Sequence, residues 1–436
     1  MSSAVGVGAL ALGPDLWRAA ASQEVRAEAG PYGRLASQPD ANGLLLPEGF
    51  VSRVVAVGGE PVQGTDLAWP RYPDGAATFA DGDGWFHAVN HEDPAPGEGG
   101  VSVIRYGPAG EIVDAYSILE GTRTNCAGGP TPWNTWLSCE EYDDGPGEAG
   151  GVWECDPTAP GQGELRPALG RFQHEAVTVD DDGQRLYLTE DTPDGRFYRF
   201  TPTAYPDLTT GVLEAAAVTN DGSVAWVEVP DPSAERTPVR QQVPGATVFD
   251  GGEGCRYDGG IVYFTTKGDD RVWAHDVDLE TITVLYDAGA SDDLPLRGVD
   301  NITVEAGSGD LYIAEDGDDM QIVMITAAGV VAPVVQVADE PLPPDPVPSE
   351  VTGPAFDPAG TRLYFSSQRG GTDQRGMTYE VSGPFRGASI RSAADRSSDG
   401  GDFPTAPVVG GAAAAVIAAG AAVWGFRSRG GEETEG

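Results

Sequence analysis

A short strand pattern occurs six times along this chain, at intervals close to 50 residues. Each copy has an aromatic residue near its start, continues through apolar and β-branched positions, and ends in polar or charged residues. The aromatic residues are Phe86, Trp136, Tyr187, Tyr263, Tyr312 and Tyr364. Their separations are 50, 51, 76, 49 and 52 residues, and the long interval contains a polar, proline-containing stretch at residues 203–242. A repeat of this length with several short strands per unit is typical of a β-propeller.

One repeat shows how each unit is built. Residues 175–179, 186–189 and 196–200 each have the composition of a strand, with turn residues between them. In a propeller the first strand of a blade lies nearest the central axis, and successive strands alternate in direction. The start of the first strand and the end of the second therefore share one face, beside the channel. We expect an all-β protein, a six-bladed β-propeller over residues 43–387, in which residues 44–57 pair into the last blade and close the ring.

Ionisable residues occupy the same phase of nearly every repeat. The first-strand starts carry Cys126, His174, Glu175, Glu253, Asp300, Asn301 and Glu350. The second-strand ends carry His91, Glu92, Glu140, Glu141, Glu190, Asp191, Lys267, Glu315, Asp316 and Arg369. Converging carboxylates repel one another strongly in a cleft of low dielectric constant, so this pattern predicts bound cations. A thiolate favours iron or zinc, and carboxylates favour calcium. The alternative to a metal site is that each acidic residue caps its own hairpin.

Ten segments of the chain carry a family resemblance. They are residues 46–50, 89–92, 125–129, 136–141, 174–177, 252–254, 264–269, 300–302, 314–317 and 349–354. Together they resemble the PhoX-type alkaline phosphatase family, in its shorter branch, from residue 43 to residue 385. The resemblance implies a six-bladed propeller that hydrolyses phosphate monoesters at a cluster of Fe³⁺ and Ca²⁺ ions, with one cysteine thiolate on iron.

The resemblance also assigns ligands by match of motif. Cys126 would be the iron ligand. The carboxylate ligands would be Glu141, Glu175 and Glu253, with Glu92, Asn125, Asp300 and Glu315 as further candidate members of the cluster. Carboxylate and amide oxygens in such number are what calcium requires.

Two positions bear on phosphate binding. The family tends to have an arginine two residues before the glutamate at Glu253, where this chain has Gly251. Three arginines could replace it: Arg256, Arg297 and Arg369.

Lys267 is the one lysine among 26 basic residues, and genomic base composition is one explanation for that. Its place at the rim of the inferred site favours a point charge on phosphate, so Lys267 and Arg369 are the candidate catalytic residues.

Composition limits the partners. With 26 basic and 68 acidic residues the net charge is −42, which repels nucleic acid and anionic lipid. We expect a monomeric propeller that acts on a small phosphorylated substrate. The four cysteines do not form a disulfide framework, although Cys139 and Cys155 could pair across neighbouring strands, and Cys255 is expected to be buried.

The ends of the chain suggest a location. Residues 403–426 contain no charge and precede Arg427 and Arg429, which predicts a transmembrane helix, with a buried domain helix as the alternative. Residues 388–402 would form a linker and residues 427–436 a cytoplasmic tail. Residues 1–30 resemble the remnant of a twin-arginine export signal. The predicted location is the extracytoplasmic face of the cytoplasmic membrane.

Three functions are compatible with this sequence. The first is a metal-dependent phosphatase, as the resemblance implies. The second is a calcium-dependent propeller hydrolase of another class, such as a lactonase, with a carboxylate or a histidine, His91 or His174, as the base. The third is a non-catalytic binding propeller that uses metals for stability.

Overall fold

The computed structural model describes residues 25–317, 319–340 and 348–388 of the 436. Most of the predicted export signal and linker lies outside the described residues, as do all of segments 403–426 and 427–436. Among the described residues, none of the helices has the length and apolar character needed to cross a membrane. The membrane anchor and the export route therefore stay predictions from the sequence.

Within the described residues, six sheets of antiparallel hairpins follow one another along the chain as the blades of a propeller. Three N-terminal strands join later sheets: β1 (Arg26–Ala27), β2 (Leu44–Leu45) and β3 (Val51–Val57). The first blade contains β4 (Pro73–Asp81), β5 (Gly84–His91), β6 (Gly99–Tyr106) and β7 (Ile112–Thr122). The second contains β8 (Asn125–Pro130), β9 (Trp136–Glu140), β10 (Val152–Cys155) and β11 (Glu164–Leu165).

The third blade is the largest single hairpin series. It contains β12 (His174–Asp180), β13 (Arg185–Glu190), β14 (Phe197–Ala204), β15 (Asp207–Val218) and β16 (Val224–Glu228). A short helix α1 (Val239–Gln242) follows, and 3-10 turns occur at Pro167–Leu169 and Ala288–Ala290. The fifth strand and α1 account for the long interval of the repeat, because the polar stretch at residues 203–242 forms them.

Three further blades complete the ring. The fourth contains β17 (Gly252–Asp258), β18 (Ile261–Thr266), β19 (Arg271–Asp276) and β20 (Thr281–Asp287). The fifth contains β21 (Val299–Val304), β22 (Leu311–Glu315), β23 (Gln321–Ile325) and β24 (Val330–Val337). The sixth contains β25 (Val351–Phe356), β26 (Arg362–Ser367) and β27 (Met377–Ser382). The six-bladed, all-β prediction is confirmed.

The ring closes through its N-terminal strand. β3 pairs antiparallel with β27 and becomes the outermost strand of the sixth blade, with Val51 opposite Ser382. The prediction that residues 44–57 pair into the last blade is therefore confirmed for β3 and wrong for β2, which pairs with β24 of the fifth blade. The turn between them explains the difference: Gly49 has φ +89°, and the N–H of Phe50 donates to the carbonyl of Pro47. This turn carries the chain from one blade to the next.

The repeated aromatic residues pack between the blades. Each lies on the second strand of its blade, and all six are buried. Tyr312 of the fifth blade packs edge-on against Phe356 of the sixth, with ring centroids 4.9 Å apart. Aromatic residues outside the repeat do the same: Phe197 of the third blade and Phe264 of the fourth stack with ring centroids 4.2 Å apart. Because the large apolar side chains pack between neighbouring sheets, the inner edges of the blades can carry polar groups.

We predict that Phe264→Ala destabilises the propeller by about 3–5 kcal/mol, because it removes a fully buried ring from this stack. The matched control is Val284→Ala in the same blade, where the side chain is 39% exposed and the expected loss is under about 1 kcal/mol. Urea unfolding followed by tryptophan fluorescence measures both. Equal losses in the two variants would show that blade packing does not depend on this stack.

Candidate metal centre at one mouth of the channel

The innermost strand of every blade contains a shift in register near its start. The shifts fall between Pro73 and Ala76, Asn125 and Gly128, His174 and Val177, Gly252 and Cys255, Val299 and Ile302, and Thr352 and Ala355. Such β-bulges place an extra residue on one strand and redirect its side chain. In the first five blades the bulge includes Asp74, Cys126, Glu175, Glu253 or Asp300. A thiol or carboxylate is therefore redirected at the same point of five blades.

A repeated backbone hydrogen bond holds the two ends of each inner hairpin together. In every blade, the N–H of the residue after the second strand donates to the carbonyl of the residue one or two positions before the first strand's bulge. The six pairs are Glu92 and Tyr72, Glu141 and Thr124, Asp191 and Gln173, Lys267 and Gly251, Asp316 and Gly298, and Gln368 and Glu350. The predicted common phase of the two sets of ionisable residues follows from this bond.

Three overlapping groups of side chains could each hold a cation, since their ligand atoms all lie within 4.8 Å of one another. The groups are Asp74 with Glu92 and Cys126, Cys126 with Glu141 and Glu175, and Glu175 with Glu253 and Asp300. Cys126 and Glu175 are each shared by two groups. The structure therefore brings together six of the eight predicted metal ligands in one continuous array.

Asp74 belongs to this array and was missed by the sequence analysis. A signal for it exists in the repeat: Asp74 precedes its aromatic residue Phe86 by 12 positions, as Glu175 precedes Tyr187. Its carboxylate accepts a hydrogen bond of 2.5 Å from the amide of Gln368, which also donates to Glu92 at 2.7 Å. Gln368 thus links the first blade to the sixth at the mouth of the channel.

The array fits metal ions because several of its carboxylate oxygens are buried without a hydrogen-bond partner among the described residues. Glu175 is 0% exposed, and neither of its carboxylate oxygens has a hydrogen-bond partner among the described residues. The same holds for one oxygen of Asp74. A buried carboxylate without a partner is costly unless a cation compensates it. A thiolate with six carboxylates is a donor set for one soft and several hard cations.

Burial and mutual repulsion raise the pKa of nearly every group in the array. Burial, with the charges of Glu253 and Glu141, raises the pKa of Glu175 well above its usual value. Burial likewise raises the pKa of Glu92 to about 7, and that of Glu253 to about 8. The Cys126 thiol is buried beside Asp74, and its pKa is also raised. Bound cations would reverse these shifts, because they favour the deprotonated ligands.

Lys267 lies against the array. Its Nζ is 2.8 Å from Oε1 of Glu253, 3.3 Å from Oδ2 of Asp316 and 4.0 Å from Oδ2 of Asp191. Burial opposes its charge, but the carboxylates of Glu253, Asp300 and Asp191 together raise the pKa of Lys267. The lysine is therefore an ammonium ion at the channel mouth.

Of the three arginines proposed to replace the one missing at Gly251, one lies at this mouth. Arg369 donates to Glu350 at 2.9 Å and lies over the ring of Tyr72. Arg297 instead donates to the carbonyl of Ala288, and Arg256 lines a separate cavity. Gly251 has φ +65°, a conformation that disfavours arginine, and an added Cβ would lie 3.8 Å from that of Lys267.

Two predicted ligands lie outside the three groups. The carboxylate of Glu315 accepts the backbone N–H groups of Arg297 and Gln321, at 3.0 and 3.1 Å. The side chain of Asn125 accepts a hydrogen bond from Thr122 and donates one to Ser138, immediately behind Cys126. Glutamates that end a second strand hold the start of the third strand, whereas the residue that follows them faces the channel.

The two histidines considered as bases also lie outside the groups. His174 donates to the carbonyl of Gly170 and packs on Phe172, with ring centroids 3.5 Å apart. His91 packs edge-on against Trp69 at 5.1 Å. Burial lowers the pKa of both imidazoles to about 3, so both are neutral packing groups near neutral pH.

The possible disulfide between Cys139 and Cys155 does not form. All four cysteines have free thiols, and Cys255 is buried as expected. The strand register explains why no bond forms, because it places Cys139 opposite Val152 and Cys155 opposite Trp136, at the two ends of the β9–β10 ladder.

Comparison with known proteins gave the following similarities. Among solved structures, a gluconolactonase from Xanthomonas campestris is 15% identical, with 78% of this chain and 89% of that chain covered and a TM-score of 0.41. A protein of unknown function from Bacteroides thetaiotaomicron is 12% identical, with 76% of each chain covered and a TM-score of 0.47. No curated protein sequence matches this chain.

The sequence model of one family covers the central part of the array. The matched region begins in the first blade and ends in the fourth, and it contains Cys126, Glu141, Glu175, Glu253 and Lys267. Residues 99–280 match the alkaline phosphatase PhoX family, which confirms the resemblance stated from the sequence.

Proposed function

We propose that this protein is a metal-dependent phosphatase that hydrolyses small phosphate monoesters at the channel mouth, with iron and calcium as its cations. The observation that carries the proposal is the shared position of Glu175, which is fully buried, unpartnered among the described residues, and a member of two of the three groups. The match to the phosphatase family supports the choice of reaction.

The donor types suggest which residue holds which cation. The thiolate of Cys126 is the soft ligand and would hold iron. Carboxylates suit calcium, so Glu141, Glu175 and Glu253 would hold calcium, with Glu92, Asp74 and Asp300 completing its oxygen ligands. Bound cations would supply Lewis acidity to the phosphoryl group.

The two basic residues would bind the phosphoryl charge. Lys267 forms ion pairs with Glu253 and Asp316. Its ammonium ion therefore lies at the edge of the array, beside the group that contains Glu253. Arg369 stands two blades further round the ring, in the sixth blade, with a fork suited to two oxygens. Together they would hold a phosphate monoester over the cations and stabilise the charge that develops on it.

A lactonase-like reaction with a histidine base is less well supported, because His91 and His174 are packed away from the three groups. A binding propeller that uses metals for stability has the same array, and loss of turnover in a Lys267 variant separates it from the phosphatase.

We predict that Cys126→Ser lowers the iron content strongly while calcium is largely kept, since a hydroxyl is a far weaker soft ligand than a thiolate. Glu253→Gln should lower metal content and activity together. Elemental analysis by mass spectrometry measures both, and Cys139→Ser, a buried thiol outside the groups, is the matched control. Full iron occupancy in Cys126→Ser would show that Cys126 is not the iron ligand.

We predict that Lys267→Met lowers kcat for a phosphate monoester by roughly 10²-fold or more without a comparable change in metal content. Lys267→Arg should restore part of that loss, because a planar fork does not occupy the place of an ammonium ion. Steady-state kinetics on metal-analysed protein provide the measurement. Wild-type turnover in both variants would exclude a catalytic role for this lysine.

The raised pKa values predict an unusual pH dependence for the chelator-treated protein. A carboxyl whose pKa is higher in the folded state binds more protons when folded, so the free energy of unfolding decreases as pH rises between the two values. For Glu92 and Glu253 this window runs from 4.5 to about 7 and about 8. The urea midpoint should therefore fall from pH 5 to pH 8 with chelator present, and added calcium should restore more stability at the upper pH than at the lower. A midpoint that rises with pH in chelator would contradict the electrostatic account.

A further inference from the structure

A second cavity lies deeper in the central channel. It has a volume of about 200 Å³ and is lined by residues from five innermost strands or the turns that follow them, among them Thr78, Pro130, Arg256, Thr303 and Phe356. Arg256 lies three positions after Glu253, and Thr303 lies three positions after Asp300. At roughly 3.3 Å per strand residue, the cavity is about 10 Å from the metal centre along the axis. It is a separate site on the same channel.

Arg256 is unusual among the basic residues of this acidic chain. The structure shows no hydrogen bond or ion pair from its guanidinium to any described residue, and its Nε is buried. Burial lowers the pKa of Arg256, while the charge of Asp258 opposes that effect. An arginine retains its proton under these conditions, so an uncompensated positive charge faces the cavity.

The nearby acidic residues do not neutralise this charge by contact. Asp357 also lines the cavity, but its carboxylate accepts hydrogen bonds from the backbone of Thr361 and Arg362. Asp258 is two positions along the same strand; burial raises its pKa, and the charge of Arg256 opposes that effect. Neither carboxylate forms an ion pair with Arg256 in the described part of the chain.

A free hydroxyl adds to the lining. Thr303 is only partly buried and forms no hydrogen bond through its side chain with the described residues, whereas Thr78 donates to the carbonyl of Phe356. A guanidinium fork and a hydroxyl across a small cavity match the oxygens of a compact oxyanion. We infer that this cavity binds a small tetrahedral oxyanion, such as phosphate or sulfate, through Arg256 and Thr303. The inference does not depend on the proposed phosphatase activity.

The test is a calorimetric titration of the metal-loaded protein with sulfate, an oxyanion that is not the product of the proposed reaction. Arg256→Met should weaken one class of sulfate sites by at least about tenfold, because it removes charged hydrogen bonds. Arg256→Lys should have an intermediate effect, since it keeps the charge but lacks the fork. Arg34→Met, an exposed arginine on the outer edge of the fifth blade, controls for the loss of one positive charge.

Further measurements keep the test decisive. Thr303→Val keeps the size of the side chain and should weaken the same class of sites severalfold. It provides the test if Arg256→Met fails to fold. Metal content should equal that of wild type in all these variants, which separates the cavity from the channel mouth. Sulfate titrations of Arg256→Lys and Thr303→Val that match wild type, or a single class of sites abolished by Lys267→Met, would overturn the inference.

Discussion

Repulsion between buried like charges is the main constraint on the structure at the channel mouth. Five blades direct a thiol or carboxylate to one mouth of the channel, and three of those groups, Glu175, Glu253 and Asp300, lie within 4.8 Å of one another. In a medium of low dielectric constant such a cluster is stable only if protons or cations neutralise it. One ammonium ion, on Lys267, supplies a small part of the required charge. Protons or bound cations must supply the remainder, so binding of a cation would stabilise the folded state.

The backbone accommodates this cluster at a local cost. The residues whose carbonyls accept the repeated hydrogen bond have positive φ in four blades: Tyr72, Thr124, Gly251 and Gly298. Glycine adopts this conformation freely, whereas Thr124, which is β-branched, has φ +44° at a cost of about 1–3 kcal/mol. Such a conformation persists only where neighbouring contacts determine it. Thr124 precedes Asn125 and Cys126, so the strain lies directly beside the predicted iron ligand.

The repeat made the fold predictable, because packing between identical blades requires a large apolar residue at the same position of each one. The phase of the ionisable residues was predictable for the same reason. The side chain's direction was not: Glu315 and Asp316 are adjacent acidic residues, and only the register at the end of β22 shows that the first binds backbone and the second faces Lys267. Asp74 stands between Pro73 and Gly75, a context typical of a turn rather than of the start of a strand. The pairing of Cys139 and Cys155 stayed open at the level of sequence, because two residues on neighbouring strands can lie at the same end of a ladder or at opposite ends.

The closure of the ring by β3 has a consequence for the order of folding. Val51 pairs with Ser382, so the last blade stays incomplete until nearly the whole described propeller has been synthesised. Contacts between such distant positions form slowly, because the entropy of closing a long loop must be overcome before the contact is gained. The channel mouth takes side chains from the first blade to the last, and Gln368 joins Asp74 across the seam. The hydrogen bonds from Gln368 to Asp74 and Glu92 therefore form late in folding. An open ring would leave the edge of β27 exposed to pairing with another chain.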